Sequence, residues 1–183
     1  KNNCTSIAVV TITVNPTPDV KPGLGAFTFC LGNSTPLSAS GALTYTWSPS
    51  TGLNTVTGAS VTATPTTAGS CTYTVTGSSN GCSNQASVTL TVEPLPVITV
   101  SPSSPSACVG SPVSLTAGGG NSYSWSPATD LNAITGQSVT CTPSAPITYI
   151  VSGISSVNTC WGTTTITVST YPSPSIPVVT QSG

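Results

Sequence analysis

The sequence has no histidine, arginine or methionine, and almost no charge. Its 183 residues carry two basic side chains, Lys1 and Lys21, and three acidic ones, Asp19, Glu93 and Asp130. Each absence excludes a class of function. Hydrolytic catalysis needs a positioned base, or an acid and a base together. Without histidine and with the acids scattered, no such set exists, and none of the serines or threonines has an evident activating partner. Zinc finds neither histidine nor a C-x-x-C pair, the usual ligands of its closed sites. Nucleic acid demands a basic footprint that two lysines cannot supply, and a polybasic membrane patch is missing for the same reason. No apolar run is long enough to span a bilayer. No signal peptide is evident, which reads as a mature product or an internal piece. The expectation is a protein that is not an enzyme and uses no cofactor or metal.

What is present is a hydroxyl-rich chain. There are 34 threonines and 30 serines, with recurrent Val, Leu, Ile, Tyr and Trp. Disordered chains are highly charged and poor in β-branched and aromatic residues, so this one should fold. Seven cysteines in such a chain suggest an oxidising, extracytoplasmic setting.

The chain is built on a repeat. Cys4, Cys82 and Cys160 follow one another at intervals of 78 residues, as do Pro16, Pro94 and Pro172. Cys30 and Cys108, and Trp47 and Trp125, keep the same step. TYTWSPSTGLNTVTGASVTATP and SYSWSPATDLNAITGQSVTCTP are near copies. The period divides the sequence into 1–18, the C-terminal part of a preceding repeat; 19–96 and 97–174, two full domains; and 175–183, the start of a following repeat. The simplest reading is a window on a longer tandem array. Strand donation between subunits is the rival.

Each repeat alternates short apolar and polar runs with turn signals between them, the pattern of an all-β sandwich. Expected strands are LSAS, LTYTWS, SVTAT, CTYTVT and ASVTLTV. Leu43, Tyr45 and Trp47 point inward; Tyr73 and Val75 oppose Thr72, Thr74 and Thr76; Val88, Leu90 and Val92 oppose Thr89 and Thr91. The expected core includes Tyr45, Trp47, Tyr73, Tyr123, Trp125 and Tyr149. The run Ala8, Val10, Ile12 and Val14 reads as a further strand with one apolar face. The Pro-x-Pro junctions leave little slack, which suggests tandem sandwiches in an extended rod.

The segments CLGNS, LSAS, YTWSP, VTATP, TYTVTG, GC and VTLTV, repeated as CVGSP, LTAGG, YSWSP, VTCTP, TYIVSG, TC and ITV, carry a resemblance. The chain resembles the Ig-like and PKD-like repeats of giant secreted surface proteins of Bacteroidota. These are modules of long adhesins and cell-surface filaments, commonly exported by the type IX system and sometimes linked to gliding. The resemblance implies tandem Ig-like β-sandwich domains at the cell surface. Its partners would be neighbouring copies or repeats of the same protein, and surface glycans in the adhesin alternative. It implies one disulfide per repeat, Cys30 to Cys82 and Cys108 to Cys160, with Cys4 pairing outside the window. A standard sandwich that sets the two cysteines of a repeat at opposite ends puts them beyond disulfide reach, and a Cys30 to Cys160 pairing then competes.

Three cysteine and aromatic positions break the repeat. Cys71 and Cys141 align with Ile147 and Ala63. They read either as buried thiols acting as small hydrophobes or as links between neighbouring rods. Trp161 aligns with Ser83 and points away from the face of Cys160, Gly162, Thr164, Ile166 and Val168, which makes it a candidate contact for a sugar or a partner. Asp130, in the WSPATD loop, replaces Gly52; a lone carboxylate is poor equipment for calcium. The sequence thus reads as a non-catalytic structural module of an extracellular filament or long adhesin, with a carbohydrate- or surface-binding module as the alternative.

Overall fold

The computed structural model describes residue 4, residues 6–23 and residues 27–172. The chain divides into two compact units, Lys1–Val92 and Glu93–Gly183. Every regular element among the described residues is a strand. The first unit contains β1 (Lys21–Pro22), β2 (Phe27–Cys30), β3 (Thr35–Ser40), β4 (Thr44–Ser48), β5 (Ser60–Ala63), β6 (Gly69–Ser79) and β7 (Cys82–Glu93). The second contains β8 (Thr99–Ser101), β9 (Ser106–Cys108), β10 (Val113–Gly118), β11 (Ser122–Ser126), β12 (Ser138–Cys141), β13 (Ile147–Ile154) and β14 (Trp161–Tyr171).

Both units share one topology. A three-stranded sheet, β1-β3-β5 or β8-β10-β12, accompanies a four-stranded sheet, β2-β7-β6-β4 or β9-β14-β13-β11. β9 and β14 run parallel, whereas the pairs β1–β3, β3–β5, β4–β6, β6–β7, β8–β10, β10–β12, β11–β13 and β13–β14 are antiparallel. The opening segment of each repeat therefore splits, its first piece joining one sheet and its second the other. This is an Ig-like β-sandwich, and the chain holds two in tandem. The short pieces β1, β2, β8 and β9 carry too few residues to show alternation, and the sequence pattern missed them.

Alternation places the core. In β3, Thr35, Leu37 and Ala39 are buried; in β4, Tyr45 and Trp47; in β6, Tyr73 and Val75; in β7, Val88, Leu90 and Val92. The second core repeats this with Leu115, Ala117, Tyr123, Trp125, Val139, Tyr149, Val151, Ile166 and Val168. Burying one such aromatic contributes about 2–3 kcal/mol. Threonines take the outer face, where paired hydroxyls meet across strands: Thr72 with Thr89 at 3.0 Å and Thr148 with Thr167 at 2.8 Å. Leu43 departs from the expectation. It lies outside β4 and is 74% exposed, because the strand begins one residue later. Residues 6–14 form no strand, and Ile7, Val9, Val10, Ile12 and Val14 are exposed. The tail 175–183 lies outside the described residues.

Side-chain bonds that recur in both sandwiches tie loops to the core. The Trp47 indole donates to the Gly58 carbonyl at 3.0 Å, and Trp125 to Gly136 at 3.0 Å. The Tyr45 hydroxyl donates to the Ala42 carbonyl and accepts from the Ala42 amide; Tyr123 does both with Gly120. The Tyr73 hydroxyl donates to Thr51 and that of Tyr149 to Thr129. Gly52 has φ +76° and Asp130 has φ +62° at the equivalent place. Asp130 meets the cost of that left-handed backbone with its carboxylate, which accepts from the Ser144 amide at 2.9 Å and hydroxyl at 3.0 Å.

Substitution of Trp125 tests this anchoring. Trp125→Phe keeps most apolar burial but strands the Gly136 carbonyl, and is expected to cost about 1–2 kcal/mol. Trp125→Ala removes packing as well, and is expected to cost about 3–5 kcal/mol. Urea denaturation of each variant measures both, and a Trp125→Phe protein as stable as the parent would refute a role for the indole hydrogen bond.

Candidate functional site

Strand register decides the fate of the cysteines. In the β9–β14 pair, Cys108 lies opposite Tyr171, the last residue of β14. Cys160 immediately precedes Trp161, the first residue of that strand. Eleven strand residues at about 3.3 Å each separate the two by about 35 Å, whereas bridged Cα atoms lie within about 7 Å. The first sandwich has the same order, with Cys30 ending β2 beside β7 and Cys82 opening β7. The expected Cys30 to Cys82 and Cys108 to Cys160 bridges therefore do not form. Cys82 and Cys108 are free thiols, as is the exposed Cys4, while Cys30 and Cys160 are disulfide-bonded. The Cys82 thiol faces the Asn15 carbonyl at 3.5 Å.

The other two thiols are internal to different degrees. Cys141 closes β12 and is fully buried, its Sγ 3.2 Å from the Tyr149 hydroxyl. Burial pushes its pKa up from 9.0, and burial likewise raises the Tyr149 hydroxyl well above 10.0. Cys71, opposite Leu90 in the β6–β7 pair, is half-buried, and burial raises its thiol too. No group of three or more His, Cys, Asp or Glu that could hold a metal ion occurs among the described residues.

Trp161 lies on the outer face and is 53% exposed, whereas Trp47 and Trp125 are each 3% exposed. It pairs with Ile154 across β13–β14, and Ile154 pairs in turn with Ser122 of β11. A groove of about 410 Å³ opens at this edge of the sheet, walled by Trp161, Asn121, Ser122, Ser124, Thr135 and Gln137. A groove of the same volume occupies the equivalent place in the first sandwich, where Leu43 and Ala59 stand in the positions of Asn121 and Gln137. Sequence reading singled out Trp161 but missed Asn121 and Gln137. They stand far from it along the chain, and only the sheet brings them together.

No family model and no curated protein matches the chain. Solved structures similar to it include a titin A168–A169 fragment, at 13% identity and TM-score 0.35, covering 84% of this chain and 98% of that one. Fibronectin(III)-like modules of Clostridium thermocellum CbhA match at 9% identity and TM-score 0.35, covering 89% and 100%. A C-terminal fragment of intimin, solved in complex with the intimin-binding domain of its translocated receptor, matches at 19% and 0.42, covering 81% and 62%. With TM-scores this low the likenesses carry no weight on function, and the fold rests on the strand order above.

Two measurements follow from the buried thiol. A raised pKa keeps Cys141 protonated and burial blocks access, so iodoacetamide at pH 8 should modify Cys4 in the native protein and reach Cys141 only on unfolding. Peptide mapping that finds Cys141 modified as fast as Cys4 would contradict this burial. Because Cys141 and Tyr149 have pKa values raised on folding, the stability they confer is fully present below pH 9 and falls as pH climbs past 9.0 and 10.0. Tyr149→Phe should make that alkaline decline shallower in a pH series of denaturation curves.

Proposed function

We propose that this chain is a structural repeat module of an extracellular filament or long cell-surface adhesin, a spacer without catalysis. The observation that carries the reading is the duplication of one sandwich down to its indole and tyrosine hydrogen bonds. A protein selected for one reaction has no need of two copies of a scaffold lacking an acid–base set. The sequence resemblance to Bacteroidota surface repeats supports the setting, and so does the presence of disulfide-bonded cysteine. The exposed apolar side chains of residues 6–14 fit a strand that completes a neighbouring sandwich.

The cysteines supply the test. Cys30 and Cys160 are disulfide-bonded, yet their repeat equivalents Cys108 and Cys82 are free. In the proposed filament those two thiols join to copies of the same repeat, Cys108 of one chain to Cys82 of the next. A small disulfide such as oxidised glutathione accepts the two electrons and is released as two thiols, while the protein thiols lose their protons. Oxidation of concentrated protein in a Cys4→Ser background should give a reducible ladder in steps of 18.1 kDa. Cys82→Ser or Cys108→Ser removes one partner of that link from every chain, so each should leave monomer in place of the ladder. Parent protein that stays monomeric, or a ladder indifferent to both substitutions, would overturn the copy-to-copy reading.

A further inference from the structure

The two sandwiches keep the same anchors, and several of their differences gather at one place. The groove beside β4 in the first is lined by Leu43, Thr44, Thr46, Thr57 and Ala59. At the same place in the second, Asn121 replaces Leu43, Gln137 replaces Ala59, and Trp161 stands where the first repeat has Ser83. The cross-strand row changes with them. Thr44, Ser78 and Ser83 form it in the first sandwich, and Ser122, Ile154 and Trp161 in the second. Other differences lie elsewhere, such as Gly52 and Asp130, but these meet on one groove.

We infer that the groove at the β11 edge of the second sandwich binds a neutral oligosaccharide. A pyranose ring has an apolar face of C–H groups and a rim of hydroxyls. The 53% exposed indole of Trp161, backed by Ile154, offers a flat platform for that face. The Asn121 and Gln137 side chains each present an amide donor pair and a carbonyl acceptor, and neither has an intramolecular hydrogen-bond partner among the described residues. Ser122, Ser124 and Thr135 add hydroxyls to the wall. No charged side chain lines the groove, so nothing there selects an anionic or cationic ligand. The volume of about 410 Å³ lies in the range of small-ligand sites.

The frame is rigid where it matters. The Asn121 amide donates to the Ile154 carbonyl, and the Gln137 carbonyl accepts from the Ala117 amide, both at 2.8 Å. Trp161 is held in the β13–β14 ladder. A peptide partner could instead add a strand to the β11 edge, but that edge is already taken. The Trp125 amide donates to the Ile134 carbonyl, the Gly136 amide donates to the Tyr123 carbonyl, and Ser124 bridges to Thr135. With its backbone satisfied, the edge recognises a ligand through side chains alone.

The inference is independent of the filament reading, and its failure leaves that reading in place. The test is a ¹H–¹⁵N NMR titration of the full 183-residue chain with cellohexaose, mannohexaose and chitohexaose in turn. At least one should shift the side-chain amides of Asn121 and Gln137 and the Trp161 indole together, saturating with a midpoint below about 10 mM. Trp161→Ala should raise the midpoint about tenfold, a loss of about 1.4 kcal/mol, read from the remaining amides. Asn121→Leu with Gln137→Ala, the residues of the first sandwich, should raise it about threefold or more, read from the indole. Unshifted resonances with all three sugars overturn the inference, as does a midpoint unchanged by Trp161→Ala. Shifts of the Trp161 indole that depend on protein concentration alone would assign the groove to a second copy of the chain and also overturn it.

Discussion

The indole hydrogen bond from the β4 and β11 tryptophans to a glycine carbonyl eleven residues on is the constraint on which the rest of each sandwich depends. A buried tryptophan must satisfy its single N–H. In both repeats the partner is a loop carbonyl, so the same side chain fills the core and draws the loop crossing from one sheet to the other down onto the strand edge. Backbone bonds follow: Trp47 to Val56 and Gly58 to Tyr45 in one unit, Trp125 to Ile134 and Gly136 to Tyr123 in the other. The pinned loop covers the edge of the four-stranded sheet, which would otherwise offer unpaired backbone to another chain. It also forms one wall of each groove.

Charge contributes little to this architecture. The one salt bridge between described residues joins Lys21 and Asp19, both well exposed, and such pairs add little to stability. Cross-strand hydroxyl pairs occupy the surface positions where lysine and glutamate commonly stand. Threonine suits those positions because its branched Cβ fits the extended backbone while its hydroxyl finds a partner across the ladder. A surface of this kind has no long-range electrostatic repulsion between copies. Close approach of like modules is then limited by shape and hydration rather than by charge.

Much of the fold was legible in the sequence because strand alternation marks both faces directly. Trp47, Tyr73, Val75, Val88 and Leu90 sit inside for the reason their spacing gives. What stayed hidden depended on register. The 78-residue interval spans two compensating shifts, of which only the first shows in the alignment of Cys71 with Ile147. Trp47 lies opposite Val75 and Trp125 opposite Val151, a step of 76, before a six-residue loop at 155–160 in place of the Asn80-Gly81 turn restores the period. The within-repeat disulfides failed for a related reason. Recurrence shows that two cysteines belong to the same repeat, but not that an eleven-residue strand holds them apart. Leu43 failed at a boundary, where alternation was extended one residue beyond the end of the strand.

The groove shows how two repeats with one scaffold come to differ. Leu43 is not a core residue, so asparagine at its counterpart leaves the packing intact. The same holds for Ala59 and Gln137, and for Ser83 and Trp161, all on the outer surface. None of these side chains is a partner in the indole or tyrosine hydrogen bonds that fix the loops. Surface chemistry can therefore change while strand order, loop path and groove volume stay constant. The exposed tryptophan is the informative residue because it has a solvation cost that a spacer would gain nothing by bearing. Partly covering an indole with the apolar face of a ligand returns about 25 cal/mol for each Å² removed from water. The neighbouring amides, fixed at the backbone and unpartnered at the side chain, then decide which ligand can lie there.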